Sequence, residues 1–166
     1  MPFLLLLLLL LTPSTLFASP FSFRHYRVEQ GLASNGVRDI LQDRRGFIWV
    51  ATNGGLNRFD GHNFKRFGTL WADTLLAGNR LFYCLLEDSR GRIWAGSEEG
   101  LFCYDSSREL FVRFGASDGD DPRISVPVWA LAEDAKGRLW VGTHGSGVLR
   151  VILPSHPNET SAYSET

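Results

Sequence analysis

Between residues 36 and 151 the apolar side chains come in short alternating runs broken by Gly, Asp and Asn, with no stripe at helical spacing. Val37-Arg-Asp-Ile40-Leu41-Gln42 predicts a strand, Phe47-Ile-Trp49-Val-Ala-Thr52 a second, Leu56-Asn-Arg-Phe59-Asp60 a third and Phe64-Lys-Arg-Phe67 a fourth. Asp43-Arg-Arg-Gly46 reads as the first turn. The Asp carboxylate can accept hydrogen bonds from the turn's own amides, and Gly takes the positive φ that closes such a loop without steric cost. Asn53-Gly54-Gly55 makes the second turn. Glu98-Glu99-Gly100, Leu101-Phe-Cys-Tyr104-Asp105 and Phe111-Val-Arg-Phe114 return in the same order further on.

The pattern is a repeat. Asp43, Gly46 and Trp49 are followed by Asp88, Gly91 and Trp94, then by Asp134, Gly137 and Trp140, with intervals of 45 and 46 residues. A period of this length with four short strands in each unit predicts an all-β chain of β-propeller blades, each a four-stranded antiparallel sheet. The three tryptophans occupy one place in the second strand, where a large ring fills the wedge between neighbouring blades, and we expect all three to be core. An exposed aromatic ladder is the alternative. Because propellers close with about four to eight blades, three repeats predict an incomplete propeller whose remaining blades are its first partners. An isolated chain of this kind is expected to self-associate through its open blade faces.

The predicted organisation is a signal peptide over 1–18, a lead-in over 19–35, blade one over 36–67, blade two over 79–114, a partial blade three over 125–151 and an irregular tail over 152–166. Phe21-Ser-Phe23-Arg-His25-Tyr26 in the lead-in resembles the fourth strands and is expected to complete the last blade of a closed ring. His144-Gly145-Ser146-Gly147 adds turn residues to the third unit, and that blade lacks its fourth strand. The run Leu4 to Leu11 is shorter than the roughly 20 apolar residues a membrane-crossing helix needs, which favours export with cleavage near Ala18. No Lys or Arg precedes the leucines and Leu16 occupies a small-residue position, so a retained anchor stays open. In either case the repeats face away from the cytosol.

Composition alters the picture only by exclusion. The net charge is −1 with 21% charged residues, and no basic stripe accompanies the aromatics, so nucleic acid is set aside as a partner. Cys84 and Cys103 fall on strands flanking a middle one, about 9–10 Å apart, beyond disulfide reach. His25, His62, His144 and His156 lack metal-site spacing, and neither a metal nor a cofactor is expected. Gly115-Ala-Ser117-Asp-Gly119 matches a nucleophile-elbow pattern, but no helix follows it. Asp118, Asp120 and Asp121 in the same loop lack the ligand series of a calcium site. Asn158-Glu159-Thr160 is an incidental glycosylation sequon. No catalytic residue is assigned. Weak ligand-binding candidates are the blade-end loop residues Asn53, His62, Asn63, Glu98, Glu99 and His144, because connecting segments carry function on rigid scaffolds.

Asp43 to Asp60 and Asp88 to Asp105 spell Asp-x-x-Gly-x-x-Trp followed by Gly-Leu and an aromatic-Asp pair. These stretches, with Gln30-Gly31-Leu32-Ala33-Ser34-Asn35-Gly36-Val37 ahead of them, resemble the two-component regulator propeller repeat. The resemblance implies the N-terminal part of a periplasmic ligand sensor in a dimeric inner-membrane receptor with a histidine kinase or a diguanylate cyclase as output. Many such sensors respond to carbohydrates, although no residue singled out above selects a sugar. It implies no enzymatic activity for this stretch. The rival class is an exported propeller lyase or glycosidase acting on polysaccharide. Here, however, Asp and Gly are separated by two residues and no Thr precedes the Trp, unlike a sialidase aspartate box. A structural protein-interaction ring is the third reading.

Overall fold

The computed structural model describes residues 21–67, 69–71, 74–76, 80–114 and 126–151. The leucine run, the acidic loop with Ser117, and the tail with His156 and Asn158 lie outside the described residues. Three sheets, antiparallel within each repeat unit, stand side by side. The first runs β1 (Val37–Gln42), β2 (Ile48–Thr52), β3 (Gly55–Phe59), β4 (Phe64–Phe67) in simple up-and-down order. The second holds β7 (Phe82–Glu87), β8 (Ile93–Ser97), β9 (Gly100–Asp105) and β10 (Leu110–Arg113). The third holds β11 (Val128–Glu133), β12 (Leu139–Thr143) and β13 (Val148–Val151).

The second sheet is wider than a four-stranded blade. A hairpin of β5 (Thr69–Trp71) and β6 (Thr74–Leu76), which the repeat pattern does not show, joins its outer edge, with β5 parallel to β10. Its addition covers an edge that would otherwise present unpaired backbone groups. The lead-in has no last blade to complete among the three described sheets. Residues 21–27 form no strand; Tyr26 instead packs its ring 5.1 Å from Phe59 and 5.5 Å from Phe64. Val28–Gln30 forms one 3-10 turn, and the chain is tied down by Asn57, which accepts from Ala33 N–H and donates to the Gly31 carbonyl. A strand needs a partner edge, and aromatic contact with blade one holds this segment in place of one.

The core lies between the sheets. Trp49, Ala51, Leu56 and Phe67 of sheet one meet Phe82, Leu85, Phe102 and Phe111 of sheet two, and Cys84, Trp94 and Leu101 meet Val128, Leu139 and Val141 of sheet three. Trp49 and Trp94 are each 1% exposed, as a wedge-filling role requires. Trp140 corrects the expectation that all three are core, being 37% exposed. The reason is geometric. Trp49 is covered by Tyr104 and Phe111 of the next sheet, whereas no following sheet stands against Trp140 among the described residues.

Close approach of successive sheets also dictates residue size. A Cβ on Gly96 would lie 2.5 Å from Cys84 Sγ and 2.7 Å from both Val128 Cγ1 and Val128 O, so only glycine lets β11 cross β8 there. Cys84 and Cys103 are free thiols on β7 and β9, with β8 between them, and burial pushes both up to about 12. That disfavours the reactive thiolate.

Candidate functional site

Each repeated aspartate does more than shape its turn. Asp88 Oδ1 accepts from the Arg90 and Arg92 amides at 3.0 and 2.9 Å, while Oδ2 accepts from Arg92 Nε at 2.6 Å and the Trp94 indole N–H at 2.9 Å. Asp43 and Asp134 repeat the arrangement toward Trp49 and Trp140, at 2.8 and 2.9 Å. Sequence reading finds the turn but not this latch, whose signal is the constant six-residue offset from Asp to Trp. Gly46, Gly91 and Gly137 take φ of 88°, 79° and 74°, the conformation expected of the turn's last residue. Burial pushes the Asp88 carboxyl up. The Trp94 indole and the Arg92 backbone and guanidinium donors more than offset this, so its pKa is lowered overall.

The same end of the blades carries links between them. Glu87 accepts from Arg44 N–H at 3.0 Å, and Glu133 accepts from Ser89 N–H and hydroxyl, both at 2.6 Å. Arg44 also donates through its guanidinium to the Asp88 and Ser89 carbonyls. Glu87 and Glu133 hold one repeat position, the last residue of a first strand, so each carboxylate caps the turn of the blade before it. Glu133→Ala is expected to lower stability by about 1 kcal/mol, read as a shift in urea midpoint, with Glu133→Gln recovering part of it. An unchanged midpoint in Glu133→Ala would mean that this link carries no weight.

The opposite end is built differently. Here Thr52, Ser97 and Thr143 fold their hydroxyls back to donate to the Gly55, Gly100 and Gly147 carbonyls, at 2.8, 3.1 and 2.8 Å. The next residue in each repeat, Asn53, Glu98 or His144, donates its amide to the residue preceding the first strand, Gly36, Leu81 or Pro127. Register shifts in the first strand fall between Val37 and Asp39, Phe82 and Cys84, and Val128 and Ala130. The residues so bulged are Arg38, Tyr83 and Trp129, again one repeat position. A bulge re-aims its side chain.

Bulge and turn positions meet. Arg38 Nε donates to Asn53 Oδ1 at 2.7 Å, and the Trp129 ring stacks on His144 at 4.4 Å and 28° with Tyr83 6.0 Å away. Trp129 is 52% exposed. Because the first strands lie against one another from sheet to sheet, these positions ring one mouth at the inner edge of the blades.

The loop candidates therefore divide. Asn53, Glu98 and His144 share the mouth, and Glu99 stands beside them, paired with Arg80. His62 and Asn63 sit in the β3–β4 turn at the far end, where both amides donate to Asp60 Oδ1 at 2.8 and 2.7 Å. Arg38, Tyr83 and Trp129 were missed by sequence reading. The signal that could have found them is a position of changing identity at the constant intervals of 45 and 46 residues. Among the described residues no group of His, Cys, Asp and Glu could hold a metal ion, and no helix is long and apolar enough to cross a membrane.

Comparison with known proteins agrees with this geometry. The family model for the two component regulator propeller matches residues 31–54, 76–99 and 122–145, each match running from the lead into the first strand through the mouth turn. A histidine kinase P4 from Formosa agariphila is 49% identical over 47 residues, 28% of this chain and 3% of that protein. A solved structure described as the extracellular domain of a hybrid two component system from B. thetaiotaomicron superposes with a TM-score of 0.64 at 28% identity, over 77% of this chain and 18% of that one. A second such extracellular domain from the same organism gives 0.61 at 21% identity, over 73% and 18%, and speaks for the fold alone. The chain thus spans less than a fifth of these structures and a small fraction of the curated relative. Latch, mouth and matched residues recur in step through all three units, and the chain carries three two component regulator propeller repeats.

Proposed function

We propose that this chain forms part of the periplasmic ligand-sensing propeller of a two-component receptor, with the remaining blades supplied by the rest of that receptor. The observation that carries the reading is the division of labour within each repeat. The Asp–Trp latch is constant, while the mouth positions vary as Arg38, Tyr83 and Trp129, and as Asn53, Glu98 and His144. A constant frame with varied exposed residues at one end is what a recognition surface needs. The ligand is a small molecule or oligosaccharide. Binding biases a dimeric receptor between two states, and the output, a histidine kinase in the full-length protein, lies beyond this stretch.

The test is to incubate the protein with pooled oligosaccharides and follow both binding and the fate of the ligand. Saturable binding with the ligand recovered unchanged is the expected result. Cleavage of the bound sugar would establish the lyase or glycosidase reading instead, and absence of binding across all pools would remove oligosaccharides as the ligand.

A further inference from the structure

Trp49 sits in a cup of three rings. Phe67, on the fourth strand of its own sheet, lies 5.4 Å from Tyr104 and 6.1 Å from Phe111 of the next sheet, and those two cross-strand partners lie 5.3 Å apart. The outward face of sheet one carries the same cup. Phe59 and Phe64 are cross-strand partners at the repeat positions of Tyr104 and Phe111, 4.6 Å apart. Tyr26 stands toward them as Phe67 stands toward its pair, at 5.1 and 5.5 Å, and Phe23-Arg-His-Tyr26 keeps the spacing of Phe64-Lys-Arg-Phe67. No indole fills this second cup among the described residues.

Sheet three presents the converse, an indole without a cup. Trp140 is latched to Asp134 as Trp49 is to Asp43, yet it stays exposed. In the first two sheets a phenylalanine at the fourth strand covers the latched ring, Phe67 at 5.2 Å and Phe114 at 5.1 Å. In sheet three β13 is the edge strand among the described residues, and Val148, at the repeat position of Leu56 that pairs with Phe67, is open to solvent. We infer that cup and indole are two halves of one interface, joined by a second copy of this chain. Tyr26, Phe59 and Phe64 of one copy close over Trp140 of the other, and residues 23–26 lie along β13 as its fourth strand, covering an open edge and completing the aromatic cluster.

The rest of the two faces matches the seams already present between sheets. Phe82 and Leu85 are buried against sheet one, whereas Val37 and Ile40, at the same repeat positions, are 42% and 62% exposed. At the latch end Glu87 and Glu133 each accept from the turn of the sheet before, and the side chains agree: Glu87 faces the Arg44 guanidinium and Glu133 the Ser89 hydroxyl. Gln42 holds this position in sheet one, and Ala135 holds the turn position of Arg44 and Ser89 in sheet three. A neutral amide thus meets a turn residue that offers only its backbone N–H, and no carboxylate is buried without a side-chain donor. The two faces are unlike, so the contact runs head to tail. Two copies of three sheets each make a ring of six, within the roughly four to eight blades at which propellers close. Association of this kind needs no ligand and goes beyond the receptor reading: further blades of a longer receptor compete for the same seat, and the chain by itself fills it with a second copy.

Sedimentation of the chain over a concentration series tests this. The expected result is a reversible monomer–dimer equilibrium, weakened at least tenfold in Tyr26→Ala, in Ile40→Glu and in Trp140→Ala, with urea midpoints in dilute solution showing that each variant folds. An equimolar mixture of Tyr26→Ala and Trp140→Ala keeps one intact seam and should associate more tightly than either variant alone. A chain that stays monomeric throughout would overturn the inference and leave the receptor reading untouched. Wild-type association in all three variants would place self-association on another surface, and a mixture no tighter than its components would overturn the pairing of cup with indole.

Discussion

Trp49→Ala is expected to lower the stability of the chain by about 3–5 kcal/mol, measured as a fall in urea midpoint at unchanged slope. The indole is 1% exposed and lies 5.2 Å from Phe67 in its own sheet, and 4.9 and 5.7 Å from Tyr104 and Phe111 in the next. Its removal opens a cavity that backbone ladders on both sides prevent from collapsing, which places the cost at the upper end for core truncations. The loss also strands Asp43, whose Oδ2 accepts from the indole at 2.8 Å. Trp140→Ala is the internal control: the same residue at the same repeat position, but 37% exposed, so its truncation removes fewer contacts and costs much less. Equal effects at the two sites would mean that the wedge between sheets does not hold them together.

Asp88→Asn is the second large effect, at about 3–5 kcal/mol. The substitution keeps shape and replaces one acceptor oxygen with a donor. With the carboxylate fully buried, the amide must turn its N–H group either toward the Trp94 and Arg92 side chains or toward the turn amides. Either choice leaves buried donors without acceptors. The pH dependence follows from the lowered Asp88 pKa. The folded state favours the ionised form, so this contribution is complete above the ordinary value of 3.8 and disappears as pH falls through the lower folded value. Asp134 is shifted in the same direction by the Trp140 indole and Arg138, and adds to the same acid limb. Urea midpoints measured from pH 5 downward should therefore fall less steeply in Asp88→Asn than in the wild type. Parallel acid limbs would place the titrating groups elsewhere.

The frame was legible because it is written in spacing. Asp43, Gly46 and Trp49 return at fixed intervals, each strand alternates between these punctuation residues, and the matched sheet order follows. What spacing cannot show is which side of a repeat has a neighbour. Trp140 therefore reads like Trp49 yet stands half-open. The hairpin of β5 and β6 was hidden for a different reason: Thr69–Trp71 and Thr74–Leu76 are too short to announce themselves by alternation. The mouth was half legible. Asn53, Glu98 and His144 stand out because turns attract attention, whereas Arg38 reads as an ordinary strand residue and nothing in the strand pattern singles out Tyr83 or Trp129. A strand pattern assumes strict alternation, and the bulge that breaks it in every first strand is set by backbone pairing between β1 and β2 and its two counterparts.

That bulge gives the repeat two independent parts. Core positions are constrained by the sheets on either side, as the contacts of Gly96 show, while the bulged side chain leaves the ladder and is free to vary. A propeller built this way can change what it recognises without changing how it folds.

Amide hydrogen exchange with and without a saturating sugar is the most direct test of where recognition occurs. The account predicts added protection confined to the mouth segments 36–38, 53–54, 81–83, 98–99, 127–129 and 144–146, with the latch turns 43–46, 88–91 and 134–137 unchanged. Protection centred on the latch turns or on the His62–Asn63 turn would contradict it.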